Sequence, residues 1–169
     1  MHNAPLIILD DLADWQPYHP SQSIISAADY ILQASKHRGP IINLCDDLSY
    51  LSTGYYVSLL AEARGQRALP SVSAINDLAN LSHYQLFLND NTRLLNRFVA
   101  QHQPDQTNKV KLLICFGRTA YVELEDLARR MFEAYPCPIL EVEFRFEGRW
   151  HLHAIRNRAL SDLNDHEQT

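Results

Sequence analysis

Hydrophobic positions along the chain form short dense runs separated by amphipathic stretches. Leu6-Ile7-Ile8-Leu9 is stopped by Asp10-Asp11, and Ile41-Ile42-Asn43-Leu44-Cys45 is a second such run. Lys111 through Phe116 is a third, ended by Gly117-Arg118. Runs this short and this apolar predict buried strands. Between them the period changes. Ser26 precedes Ala27-Ala28-Asp29, a capping-box pattern with Asp in place of Glu, and predicts a helix over residues 27–37 that Gly39-Pro40 stops. A second helix is predicted over 51–64, with Gly65 just past its end. Tyr56, Leu60 and Ala63 recur at helical spacing with Val57 and Leu59 beside them, which assigns that face to the core. Tyr55, Ser58 and Glu62 are assigned to the wetter face.

Ala68-Leu69 predicts a brief strand cut off by Pro70, and Ser73 a cap for a short helix over 74–81. Residues 82–90 suit strand or helix. Residues 92–101 predict a helix with Leu94, Leu95, Phe98 and Val99 on one face, 104–108 a linker, and 122–135 a helix striped by Leu124, Leu127, Ala128 and Met131. Then Leu140, Val142, Phe144 and Phe146 alternate with Glu141, Glu143 and Arg145, and Trp150, Leu152 and Ala154 with His151 and His153. This is a β-hairpin. Parity favours a three-residue loop, Phe146-Glu147-Gly148, with Gly148 left-handed. That register sets Phe144 opposite Trp150, Glu143 opposite His151 and Glu141 opposite His153. Ile155 then falls on the polar face, with Arg156 and Arg158 after it, and marks an expected docking surface. The alternation predicts an α/β (α+β) fold: a mixed, partly parallel sheet flanked by helices, ending in an antiparallel hairpin.

The length of 169 residues suits one domain, assigned to 1–160, with 161–169 a polar tail that begins a linker. Fifteen Lys and Arg against 20 Asp and Glu give a formal charge of −5, which argues against a nucleic-acid partner. No run near the start reaches the length of a signal-peptide core or a bilayer span, so no membrane partner is expected. Cys45, Cys115 and Cys137 show no CxxC spacing and read as reduced thiols of a cytoplasmic protein.

Three constellations offer chemistry. The turn after the second strand carries Ser49, Tyr50, Ser52, Thr53 and Gly54 at a helix N-terminus, where N–H groups and hydroxyls suit an anion. The plainer alternative is that a serine caps the helix and the tyrosines pack. Phe116-Gly117-Arg118 offers a guanidinium fork at another strand end, or simply a turn glycine and a solvated arginine. Glu141, Glu143, His151 and His153 offer a metal face, or solvated cross-strand charge pairs. The candidate ligand site is Tyr50, Ser52, Thr53 and Gly54 on one side of a crevice and Arg118 on the other, with the strands ending at Cys45 and Phe116 as neighbours. Its ligand is an anion, a carboxylate or phosphate of a peptide-like acceptor. No catalytic residue and no metal ligand is assigned. There is neither a GxGxxG nor a GxxxxGK[ST] motif.

Ile42-Asn43-Leu44-Cys45, the run from Gly54-Tyr55-Tyr56-Val57 to Ala63-Arg64-Gly65, and Leu69-Pro70-Ser71-Val72 resemble the N-terminal domain that precedes a RimK-like ATP-grasp ligase. Phe116-Gly117-Arg118 and Gly148-Arg149-Trp150 extend the likeness over residues 5–160. The resemblance implies part of an ATP-dependent carboxylate–amine ligase, in which ATP activates a carboxylate as an acyl phosphate and an amine attacks it. Glutamate addition to a peptide or protein is the type reaction. The catalytic module needs on the order of 200 further residues, and nothing in these 169 resembles it. No cofactor is therefore expected in this chain, and ATP and magnesium only in a following ATP-grasp domain, in cis or in trans. Two readings follow. One is an accessory, non-catalytic domain that binds a peptide or amino-acid acceptor or docks the catalytic module. The other is an independent small-anion-binding α/β module or enzyme.

Overall fold

The computed structural model describes residues 4–16, 18, 23–33, 37–80, 92–102 and 108–163. The ambiguous stretch 82–90 and most of the expected linker lie outside them, as do residues 164–169.

Four short strands, β1 (Leu6–Leu9), β2 (Ile24–Ser26), β3 (Ile41–Asn43) and β4 (Ala68–Leu69), form a parallel sheet in the order β2-β1-β3-β4. Three longer ones, β5 (Lys109–Cys115), β6 (Ile139–Phe146) and β7 (Trp150–Asn157), form an antiparallel sheet in sequence order. The α/β class holds, with parallel and antiparallel strands divided between two sheets. Strand alternation explains how the sheets share a core. Leu6, Ile8 and Ile41 join Val110, Leu112, Ile114, Val142 and Phe144 in one buried cluster. The opposite positions, Leu9, Leu44 and Ile139, meet Leu160 in a second cluster at the seam between the sheets.

The helices are α1 (Ala27–Leu32), α2 (Thr53–Ala63), α3 (Val72–Leu78), α4 (Thr92–His102) and α5 (Glu125–Ala134). Ser26 caps α1 as its sequence predicts: Asp29 N donates to Ser26 Oγ (3.1 Å), which donates to Asp29 Oδ2 (2.7 Å). The helix stops at Leu32 rather than 37, because Gln33 turns extended and Arg64 takes the carbonyls of Tyr30 (3.0 Å) and Gln33 (3.3 Å). Ser71, not Ser73, caps α3: directly after Pro70 it is extended, and its Oγ accepts from Ala74 N (3.1 Å). A 3-10 turn over Val122–Leu124 leads into α5, whose expected stripe is buried.

The face of α2 is rotated from the expectation: Val57 and Leu60 pack on the core and Glu62 is exposed as expected, but Tyr55 and Ser58 replace Tyr56, Leu59 and Ala63. Tyr55, Val57, Ser58 and Ala61 are buried, while Tyr56 and Ala63 are exposed. Hydrogen bonding explains the buried serine. Ser58 Oγ donates to Pro70 O (2.8 Å) and accepts from Asn43 Nδ2 (3.0 Å), so a hydroxyl is satisfied inside the core.

The hairpin register also differs. Phe146 faces Trp150 and Phe144 faces Leu152, so the loop is Glu147-Gly148-Arg149. A slip of two keeps each side chain on its expected face. A bulge opposite the Glu143–Phe144 step then adds one residue to β7, and Glu143 faces Ala154 while Val142 faces Ile155. Beyond the bulge the faces exchange. Ile155 turns into the core at 4% exposure, which removes the basis of the docking surface expected there.

Candidate functional site

The strands that end at the two candidate turns are not neighbours, since β3 belongs to the parallel sheet and β5 to the antiparallel one. The turn after β3 is shaped by its own hydrogen bonds. Asp47 Oδ1 accepts from Ser49 N (2.8 Å), and Ser52 Oγ donates to Asp47 O (2.8 Å) while accepting from Tyr55 N (3.1 Å) to cap α2. Gly54 is required by close approach: a Cβ there would collide with Asp47 O and lie 2.9 Å from Cys45 Cβ. Ser52 and Gly54 are thus engaged structurally. Thr53 is exposed, and Tyr50 stands out 73% exposed with its ring edge-on to Tyr55 (5.3 Å). Tyr50 lines a cavity of about 320 Å³ with Asn76, Arg156 and Asn157.

Arg118 opens onto a different cavity, of about 430 Å³. After Cys115 the chain reverses through Phe116 (φ 49°) and Gly117 (φ 79°), the paired positive φ values that a type I′ turn needs. Cys115 N donates to Arg118 O (2.8 Å) and Arg118 N to Cys115 O (2.9 Å). This reversal places Arg118 beside the strand end, 83% exposed, with Glu125 at 4.0 Å. The crevice expected to join Arg118 to Tyr50, Ser52, Thr53 and Gly54 is therefore two separate cavities.

The third constellation is rearranged. On the outer face of the antiparallel sheet Glu141 and Glu143 are buried, at 7% and 3% exposure, and the side chains around them are cations rather than imidazoles. Glu141 lies within 2.7 Å of Arg158, 3.6 Å of Lys111 and 3.8 Å of Arg156. Glu143 lies within 2.8 Å of Arg145 and 3.5 Å of Lys109. Burial opposes ionisation of both carboxyls. The Arg158 hydrogen bond and the nearby charges outweigh it at Glu141, as Arg145 and Lys109 do at Glu143. Both sit below the usual carboxylate range. Glu141 Oε1 is buried without a hydrogen-bond partner, although Lys111 and Arg156 flank it. Lys109, Lys111, Arg145, Arg156 and Arg158 keep between 37% and 57% of their side chains exposed. Sequence reasoning missed this cationic face. Its signal was Lys109 and Lys111 at alternate strand positions, matched in charge to Glu141 and Glu143.

Among the described residues no group of three or more His, Cys, Asp or Glu side chains is placed to hold a metal ion, and no helix is long and apolar enough to cross a membrane. Cys45 and Cys137 are buried, and burial pushes the Cys137 thiol up to about 12.

A parallel sheet, an antiparallel sheet and one shared core define a small mixed α/β module with a cationic sheet face. The chain belongs to the RimK-like ATPgrasp N-terminal domain family, RLAN, whose model matches residues 27–169. Members of that family form the N-terminal part of RimK-like ATP-grasp proteins. No curated protein matches the chain significantly.

Proposed function

We propose that this chain is the accessory N-terminal domain of a RimK-like ATP-grasp carboxylate–amine ligase, and that it holds an acidic peptide acceptor for the catalytic module. The observation that carries the reading is the outer face of the antiparallel sheet. Five half-exposed cations surround two buried carboxylates there, on a chain whose formal charge is −5. The buried glutamates fix the cations in place, and with Asp162 at 3.8 Å from Arg158 counted as well a positive surplus still faces solvent. Such a local field attracts carboxylates and fades with salt. The strand positions on this face carry no Phe, Tyr or Trp, so bases of a single-stranded nucleic acid would lack an aromatic platform.

The test is fluorescence anisotropy with a labelled hexaglutamate peptide. The wild-type chain is expected to bind it, and roughly tenfold more weakly when salt rises from 50 to 500 mM, as Debye screening shortens the field. Combining Lys109→Gln, Lys111→Gln and Arg156→Gln, which leaves Arg158 on Glu141 and Arg145 on Glu143, is expected to weaken binding at least tenfold with the circular dichroism spectrum unchanged. Equal affinity of wild type and triple variant would overturn the reading, as would equal affinity for an uncharged hexaglutamine peptide.

A further inference from the structure

The cavity beside Arg118 borders the cationic face at Leu113, the cross-strand neighbour of Glu141, but none of the five cations lines it, and it stands independently of the function proposed above. Its walls come from both halves of the molecule. Leu113 and Cys115 lie on the outer face of β5, Tyr18 follows a 3-10 turn over Leu12–Trp15, Leu163 follows β7, and Tyr121 precedes α5. Most of these side chains also pack on the seam cluster of Leu9, Leu44, Ile139 and Leu160, which anchors one wall. Tyr121 is held from behind by Phe98, edge-on with ring centroids 4.7 Å apart. The volume of about 430 Å³ lies in the range of small-molecule sites.

Among the described residues the lining is mainly apolar and aromatic, with the Thr119 hydroxyl, one cation, Arg118, and no carboxylate. Glu125 makes an exposed ion pair with Arg118 Nε at 4.0 Å, too long for a hydrogen bond, and a ligand carboxylate that forms a bidentate hydrogen-bonded pair would displace it. The turn that presents Arg118 costs about 1–2 kcal/mol at Phe116, a non-glycine residue in the left-handed region. Gly117 suits its φ of 79°, and a Cβ there would press on Phe132 at 3.3 Å. Tight packing and two hydrogen bonds hold this strained turn in place, so Arg118 is presented by a fixed backbone.

We propose that this cavity binds a small monocarboxylate with a flat apolar body: the body between Tyr18 and Tyr121, the carboxylate on Arg118. A single guanidinium matches one carboxylate through a bidentate pair, whereas a phosphate dianion would find half its charge unpaired. Cys115 reports occupancy, because it lines the cavity and is half-buried while Cys45 and Cys137 are each 2% exposed.

The probes are 2-naphthoate and its neutral analogue 2-naphthamide. Binding is measured by isothermal titration and located by the rate at which iodoacetamide alkylates Cys115, read by peptide mass spectrometry. Naphthoate is expected to bind saturably and to slow alkylation at Cys115, and naphthamide to bind at least tenfold more weakly. Arg118→Gln should lower naphthoate affinity at least tenfold and leave naphthamide unchanged. Arg129→Gln, an exposed arginine paired with Asp126, should change neither. Absence of heat and of protection at millimolar naphthoate would overturn the proposal. Equal affinities for the two probes would also overturn it, as would binding that leaves the Cys115 rate unaltered.

Discussion

Around the parallel sheet the buried polar side chains are neutral, whereas on the antiparallel sheet they are carboxylates. Asn43 donates through Nδ2 to Gly54 O (2.7 Å) and Ser58 Oγ (3.0 Å), and its Oδ1 accepts from Cys45 N (3.1 Å). Tyr30 OH donates to Gln66 Oε1 (2.6 Å), and Gln66 Nε2 to His37 O (2.9 Å). These bonds tie strands of only two or three residues, too short to fix themselves by ladder bonds alone, to α2 and the loops beside it. The antiparallel strands run seven and eight residues, and their ladder needs no such help. Their outer face is free to carry charge, and it does. One half of the molecule thus uses buried polarity to set register, and the other uses it to organise a surface. A neutral network should be insensitive to pH, and an ionic one should not.

Asn43→Ala tests the first half most severely. It removes three hydrogen bonds from a side chain 1% exposed and leaves buried groups unpaired, for a loss of about 3 kcal/mol. Urea denaturation should show that deficit unchanged between pH 4 and 8. A deficit that varies with pH over that range would break the contrast.

Glu141→Gln should cost about 2 kcal/mol at pH 7, since it removes a charge-assisted bond to Arg158. Its pH dependence has a definite sign. The folded-state pKa is depressed, so the stabilisation is full above the unfolded value of about 4.3 and is lost as pH falls through the lower folded value. The gap between wild type and Glu141→Gln should therefore close in acid. A gap that persists at pH 2 would mean that packing, not charge, is what the glutamate supplies.

Tyr30→Phe is the mildest change, about 1 kcal/mol for one neutral bond, with the ring still packed under Arg64 at 4.7 Å. It should leave hexaglutamate binding untouched. A change in binding would show that the two halves are coupled through the core.

The sequence showed the strands at Leu6, Ile41 and Ala68, the Ser26 cap and the α5 stripe, because each rests on local periodicity or a side chain reaching its own backbone. It misassigned part of the α2 face, because Ser58 looks polar until Asn43 and Pro70 arrive from elsewhere in the chain. The bulge in β7 left one trace, the consecutive apolar pair Ala154-Ile155, where strict alternation fails. Of the candidate ligand residues, Arg118 and Tyr50 were expected on one crevice and lie on two cavities. Strand ends that look alike in sequence carry no information on which sheet they enter.

By itself the sequence determined the α/β class, most element types, the family and the negative overall charge, since these depend on neighbours a few residues apart and on composition. The tertiary structure alone decided the division into two sheets, the clustering of Lys109, Lys111, Arg145, Arg156 and Arg158 around two buried glutamates, and the separation of Arg118 from Tyr50. Each depends on contacts between residues far apart in the chain. Their partners are chosen by burial, ladder register and charge in three dimensions, and one extra residue in a strand is enough to exchange inside for outside.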